Sequence, residues 1–267
     1  MSTNRKLLVY LDSNIYSLAV NDPSMMGGLR HLVRSGHVYV MSETVLGELH
    51  LAGRKHEGIS ILLDELPVYL FKSHAALVQN AIASYPNDSG FDPLMPERLT
   101  GTLFLDLIVH PKVAASSTSL KTHAGDVPER YLALKSNFPP AQDGLYSKDQ
   151  LNQFVGKFTL QWLEDLNPSF VAHKVAGNLS LEPFQTIMSH ASLVFWKFYL
   201  GRRTPNPSSD LGDQAHARFY PLCGTVVVEK DTAACLRQMK GSGTFAEALF
   251  ADVNVMTVKD VRALARP

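Results

Sequence analysis

The stretch Lys6-Leu-Leu-Val-Tyr-Leu-Asp12-Ser-Asn14-Ile15 constrains the fold more than any other part of the chain. Its apolar run from Leu7 to Leu11 is too short for an ordinary helix and has no polar alternation. It therefore reads as a strand covered on both faces, the pattern of a parallel sheet flanked by helices. Asp12 falls just beyond the carboxyl end of that strand, the edge where open α/β sheets place their chemistry. Ser13 and Asn14 can turn the chain and cap the amphipathic segment that follows.

The same pattern recurs. Val38–Met41, Pro67–Phe71, Thr225–Val228 and Val253–Thr257 read as further strands, and helical spacing fills the segments between most of them. After Asp12, one or two helices run to Val33 with a break at Asn21-Asp22-Pro23. Ser42 caps a helix from Thr44 to Ala52, with Val45, Leu49 and Ala52 on one face and Glu48 on or beside it. Ile59–Asp64, Asp213–Tyr220, Thr232–Lys240 and Val258–Ala265 complete the helices, and Arg203 to Gly212 reads as a loop. Strand–helix–strand alternation of this kind gives a parallel sheet with helices on both faces.

Residues 73–207 break the alternation and read as a mainly helical insertion or cap within an α/β domain made of residues 1–72 and 208–267. Arg98–Val109, Lys148–Leu166 and Leu181–Leu200 carry helical spacing. Phe195-Trp-Lys-Phe-Tyr199 could be an aromatic platform for nucleic acid. It reads better as a core helix ending in snorkelling cations, among them Lys197, Arg202 and Arg203.

Composition excludes several classes. Over 267 residues the formal net charge is zero, so no global field recruits a polyanion, and any such contact needs local patches or bound cations. With 45% hydrophobic and 19% charged residues, the chain is that of an ordinary globular protein. Cys223 and Cys235 fit reduced thiols better than a disulfide or a zinc pattern. No run approaches a membrane span, and the N-terminal run is too short for a signal-peptide core, which leads us to expect a cytoplasmic protein without membrane contact. Walker loops, GxGxxG, GxSxG and HExxH are absent, which weighs against nucleotide-cofactor, serine-hydrolase and zinc-protease readings.

Four acids occupy matched positions: Asp12 after the first strand, Glu48 in the helix after the second, Asp213 opening a late helix, and Asp231 after the next strand. Asp213 and Asp231 lie eighteen residues apart, room for a helix, a turn and a strand that bring the chain back to the same edge. Asp210 competes with Asp213 for the third position and reads rather as a loop residue. His216, one turn beyond Asp213, could add a ligand but reads as an ordinary helix residue, while His110 and His123 have no partner at a telling spacing. Carboxylates gathered this way call for a hard, oxygen-seeking cation such as Mg²⁺ or Mn²⁺.

These pieces, Leu8-Val-Tyr-Leu-Asp12-Ser-Asn14, Ser42-Glu-Thr-Val-Leu-Gly-Glu48 and Asp213-Gln-Ala-His216 with Val226-Val-Val-Glu-Lys-Asp231, together resemble the PIN-domain nucleases over residues 5–72 and 208–262. The resemblance implies a three-layer α/β/α sandwich and divalent-metal-dependent cleavage of RNA, less often of DNA. It implies Asp12, Glu48, Asp213 and Asp231 as catalytic metal ligands with Asn14 as local support. Lys230, Arg202 and Arg203 would guide the strand. A toxin-like role would fit an antitoxin or other protein partner, and a homodimer is compatible with it. The chain departs from the family pattern in its long insertion and in Glu229, where Ser or Thr is usual. Two other readings stand beside it: a PIN-like module that binds RNA or protein through the insertion without cutting, and a small-molecule phosphohydrolase. For the latter, a haloacid-dehalogenase-type enzyme would want an Asp where Asn14 stands.

Overall fold

The computed structural model describes residues 4–53, 56–86, 91–114, 136, 138–140, 145–175, 179–200 and 207–265. Its centre is a six-stranded mixed sheet that is mostly parallel. Strand β1 (Leu8–Leu11) lies in the middle, every residue of it buried. It pairs in parallel with β2 (Val38–Met41) on one side and β5 (Thr225–Val227) on the other. Outside β2 lies β3 (Val68–Phe71), and outside β5 lies β6 (Asn254–Met256), both again parallel. The five strands read from the apolar runs are thus all present, and β1 is the one most enclosed.

The sixth strand was not legible. β4 (Leu94–Arg98) pairs antiparallel with β3 at the sheet edge, within the stretch that reads as mainly helical and without strands. Its sequence Leu-Met-Pro-Glu-Arg exposes every residue after Leu94. A central strand would not tolerate Pro96, whereas an edge strand does, and its charges discourage further pairing. Arg98, expected to begin a helix, instead ends this strand and donates to the carbonyls of Leu63, Asp64 and Leu66 at 3.2, 2.7 and 3.1 Å. That satisfies the carboxyl end of helix α4 (His56–Glu65). The expected helix is confined to Gly101–Ile108, here α6, which packs on α4.

Helix α1 (Ser13–Ala19) follows β1, and α2 (Pro23–Arg34) starts where the break was expected. Pro23 opens α2 while Asp22 accepts from the Met25 amide at 2.9 Å. Helix α3 (Glu43–Ala52) is capped by Ser42, and α5 (His74–Ser84) follows β3. Further along the chain come α7 (Lys148–Leu166), α8 (Pro168–Val175) and the almost entirely buried α9 (Gln185–Val194). Helix α9 runs into one wide π-turn over Phe195–Tyr199, in which the Leu200 amide reaches back to the Phe195 carbonyl at 3.2 Å.

Phe195, Trp196, Phe198 and Tyr199 are buried, as the core-helix reading requires. Phe154 from α7 and Phe138 pack against Phe195 and Tyr199. Lys197 does not snorkel: it is 8% exposed and ion-paired inside the protein. Arg202 and Arg203 lie outside the described residues.

Helix α10 (Pro207–Ala217) begins within the stretch up to Gly212 expected as a loop, with Pro207 at its first position. Asp213 therefore sits in the second half of this helix rather than opening it. Helices α11 (Lys230–Met239), α12 (Phe245–Phe250) and α13 (Val258–Ala263) complete the chain. Cys223 and Cys235 are free thiols, and no described helix is long and apolar enough to cross a membrane.

Helices α2 and α13 approach so closely at Gly28 that a Cβ there would lie 2.0 Å from the Val261 carbonyl oxygen. Backbone cannot yield as a side chain can, so Gly28→Ala forces the helices apart. The expected cost is about 1–3 kcal/mol, the usual range for overpacking. A urea denaturation midpoint unchanged from wild type would contradict this packing.

Candidate metal centre

Three elements deliver one side chain each to the carboxyl edge of the sheet. The Asp12 amide still follows the sheet ladder, donating to the Val227 carbonyl at 3.1 Å, while its carboxylate caps α1 by accepting from the Ser13 amide at 2.8 Å. Asp12 is 4% exposed. Glu48 projects from α3, and the Ser13 hydroxyl donates to it. His216, near the end of α10, completes the group. Its Nε2 lies 3.1 Å from Asp12 Oδ1 and 3.0 Å from Glu48 Oε2.

The other ring nitrogen is held just as firmly. His216 Nδ1 is 2.6 Å from the Tyr10 hydroxyl, which is 2.7 Å from Ser42 Oγ, which in turn accepts from the Val45 amide at the start of α3. This buried chain joins β1, α3 and α10 and fixes the plane of the imidazole. A second close contact fixes Glu48, because a Cβ on Gly212 would lie 2.1 Å from its Oε1. Glycine is what lets α10 pass over that carboxylate.

The charges follow from this packing. Burial alone would depress His216, but Glu48 and Asp12 more than reverse it and raise its pKa to about 9. Burial would likewise raise Glu48, yet the His216 charge and hydrogen bonds from His216 and Ser13 hold it below its ordinary range. Asp12 is the more enclosed acid. Burial, with Asp213 and Glu48 adding to it, lifts Asp12 to about 6 against the pull of His216. At neutral pH and without an ion, the imidazolium is thus the counter-charge of the two carboxylates.

The four acids expected as ligands separate into different roles. Asp12 and Glu48 come together. Asp213, three residues before His216, is taken up by Lys197 from the π-turn, which also reaches the buried Asp210 at 3.3 Å. Asp231 is exposed in the first turn of α11, where its charge suits the helix dipole. Neither Asp213 nor Asp231 belongs to the group whose ligand atoms lie within 4.8 Å of one another, which consists of Asp12, Glu48 and His216.

Asn14 donates to Glu229, the exposed residue preceding α11, and its own Oδ1 is buried without a partner among the described residues. Lys230 is exposed at the start of α11. The sequence offers His216 as a possible added ligand but reads it as an ordinary helix residue, and it does not single out Tyr10. The available signal was an imidazole one turn after an acid in a helix already suspected of facing the sheet edge.

As a donor set, two carboxylate oxygens and an imidazole nitrogen fit a divalent ion. Carboxylates suit Mg²⁺ and Mn²⁺, while imidazole shifts the preference toward Mn²⁺ and its transition-metal neighbours. Tyr10 behind Nδ1 is the outer hydrogen bond that a ligating histidine ordinarily has. No family model matches the chain, and comparison with curated proteins and with solved structures finds no match either.

Two outcomes follow from this geometry. An ion held by this group would have to displace protons from His216 and Asp12, so its Mn²⁺ affinity should rise with pH from 6 toward 9, about tenfold per unit where one proton is released. Calorimetry in buffers of different ionisation enthalpy measures both the affinity and the protons, and a pH-independent affinity would contradict the assignment. Gly212→Ala pushes Glu48 out of its place between Ser13 and His216. Its Mn²⁺ affinity should drop about 10–100-fold, the range for displaced supporting contacts, with a thermal midpoint moved by only a few degrees. An unchanged affinity would show that Glu48 is not held there for the ion.

Proposed function

We propose that this protein is a divalent-metal-dependent endonuclease on a PIN-like three-layer α/β/α sandwich, acting on phosphodiesters of RNA in preference to DNA. The observation that carries the reading is the convergence of Asp12, Glu48 and His216 at the carboxyl edge of the central strands. Surface acids are ordinarily solvated, and a buried like-charged pair has to be compensated. The RNA preference rests on the resemblance of the three sequence segments to PIN-domain nucleases. A toxin-like role, with an antitoxin or other protein partner, belongs to the same reading, as does a homodimer.

In this reading Asp12, Glu48 and His216 hold Mn²⁺ or Mg²⁺, which when bound would supply Lewis-acid polarisation of a phosphoryl oxygen. The chain's own groups do the positioning. Ser13 fixes one Glu48 oxygen, the Ser13 amide fixes Asp12, and Tyr10 with Ser42 orients the imidazole. To hold an ion through Nε2, His216 would give up only its Nε2 proton and keep the Nδ1–H, which the Tyr10 hydroxyl at 2.6 Å can accept. Lys230, exposed at the start of α11, is suited to a backbone phosphate, and Asn14 to local support of the rim.

A second reading draws on the same contacts. Since His216 already balances Asp12 and Glu48, the triad could serve as a buried clasp between β1, α3 and α10 in a module that binds RNA or protein without cutting.

Labelled single-stranded RNA and DNA incubated with Mn²⁺, Mg²⁺ or EDTA separate the two. The nuclease reading expects cutting of RNA with Mn²⁺ at least as fast as with Mg²⁺, none with EDTA, and a loss of at least about 100-fold in Asp12→Asn and His216→Asn, beyond the usual effect of a supporting contact. Asp231→Asn should stay within about tenfold of wild type. Absence of metal-dependent cutting, with folded protein that binds no Mn²⁺, would favour the clasp.

A further inference from the structure

The Asp213 side of the site contains a cation of its own. Lys197 enters from the π-turn at the end of α9, a widened turn of the kind often found at functional positions. Its ammonium pairs with Asp213 and lies 3.3 Å from Asp210, with its side chain 6% exposed. Asp213 is near enough to the metal centre to act electrostatically on both Asp12 and His216. The partly buried Cys235 on α11 feels Lys197, Asp231, Asp213 and Asp210 together, so these charges converge on one neighbourhood. Two groups of carboxylates therefore stand side by side, and only one of them lacks a permanent cation.

We propose that Lys197 takes the place of a second metal ion: its ammonium holds Asp213, so the site binds one divalent ion per chain, at Asp12, Glu48 and His216. This rests on the metal-centre reading above. The charge count supports it. A divalent ion neutralises Asp12 and Glu48, while Lys197 offsets one charge of the Asp210 and Asp213 pair and fills the space between them. A second hydrated ion would have to displace the ammonium from its carboxylate, which strands that charge unpaired on a side chain only 6% exposed. Asp213 is in this account a positioning residue that anchors Lys197, rather than a ligand. Electrostatic neutralisation at this end of the site is built into the fold and does not depend on metal concentration.

The test is the stoichiometry of Mn²⁺ bound to full-length protein, by equilibrium dialysis with electron paramagnetic resonance of the free ion. Wild type should bind one ion. Lys197→Met should take up a second, and Lys197→Arg, which keeps the charge, should remain at one. Asp213→Asn should keep the single ion with affinity within about threefold, because it removes an anchor of Lys197 and not a ligand. Where Lys197→Met does not fold, the wild-type count and Asp213→Asn decide. Two ions in wild type, a single ion in folded Lys197→Met, or loss of the ion in folded Asp213→Asn would each overturn the proposal while leaving a metal centre in place. No ion in wild type would overturn the metal-centre reading and this proposal with it.

Discussion

Two carboxylates that share one small buried space cannot both remain charged without a positive partner, and the arrangement at the sheet edge follows from that constraint. Asp12 and Glu48 arrive from β1 and α3, and the His216 imidazole sits 3.1 and 3.0 Å from them. Because the ring must bond on both sides, Tyr10 inside the central strand carries a hydroxyl where a purely apolar strand would have none, and Ser42 supports it while capping α3. The same need explains Gly212, the residue that lets α10 pass against the Glu48 carboxylate. Residues that look unrelated in the chain, a tyrosine, a serine cap and a glycine, are thereby tied to one electrostatic problem.

The fold was legible where burial leaves a one-dimensional mark. Leu7–Leu11, Val38–Met41 and Thr225–Val228 are apolar runs because β1, β2 and β5 are covered, while Pro67–Phe71 and Val253–Thr257, which hold β3 and β6, are only partly covered and mark themselves by β-branched and aromatic residues. The edge strand β4 has no such mark, since only Leu94 faces the interior and Pro96 reads as a breaker. The onset of α10 was misread for a similar reason. Pro, Ser and Asp between Pro207 and Asp213 suit a loop as well as the first turn of a helix, and only the packing of α10 on α9 and α3 distinguishes them.

The site was half legible. Asp12 and Glu48 stand out because an acid directly after a buried strand, or beside the apolar face of a helix, needs a reason to be there. Asp213 and Asp231 have the same spacing cues, yet what they meet is set by long-range contacts that spacing does not encode. Lys197 lies sixteen residues before Asp213 in sequence, inside an aromatic helix whose pattern is that of core, and nothing local announces that its ammonium turns inward. His216 was visible as a histidine one turn after an acid, a pattern too common to select without knowing which face of α10 meets β1. Composition had no bearing on any of these, since the net charge of zero conceals the local pairing of acids with Lys197 and His216.

The most direct test of the central claim is whether a divalent ion at this site is bound by an imidazole nitrogen. Pulsed electron paramagnetic resonance of Mn²⁺ bound to the protein reads that bond through its nitrogen coupling. The account predicts coupling to one directly bound histidine nitrogen in wild type, lost in His216→Asn and retained in Asp231→Asn. Mn²⁺ held with an all-oxygen signature in wild type, or a nitrogen signal that survives removal of His216, would contradict it.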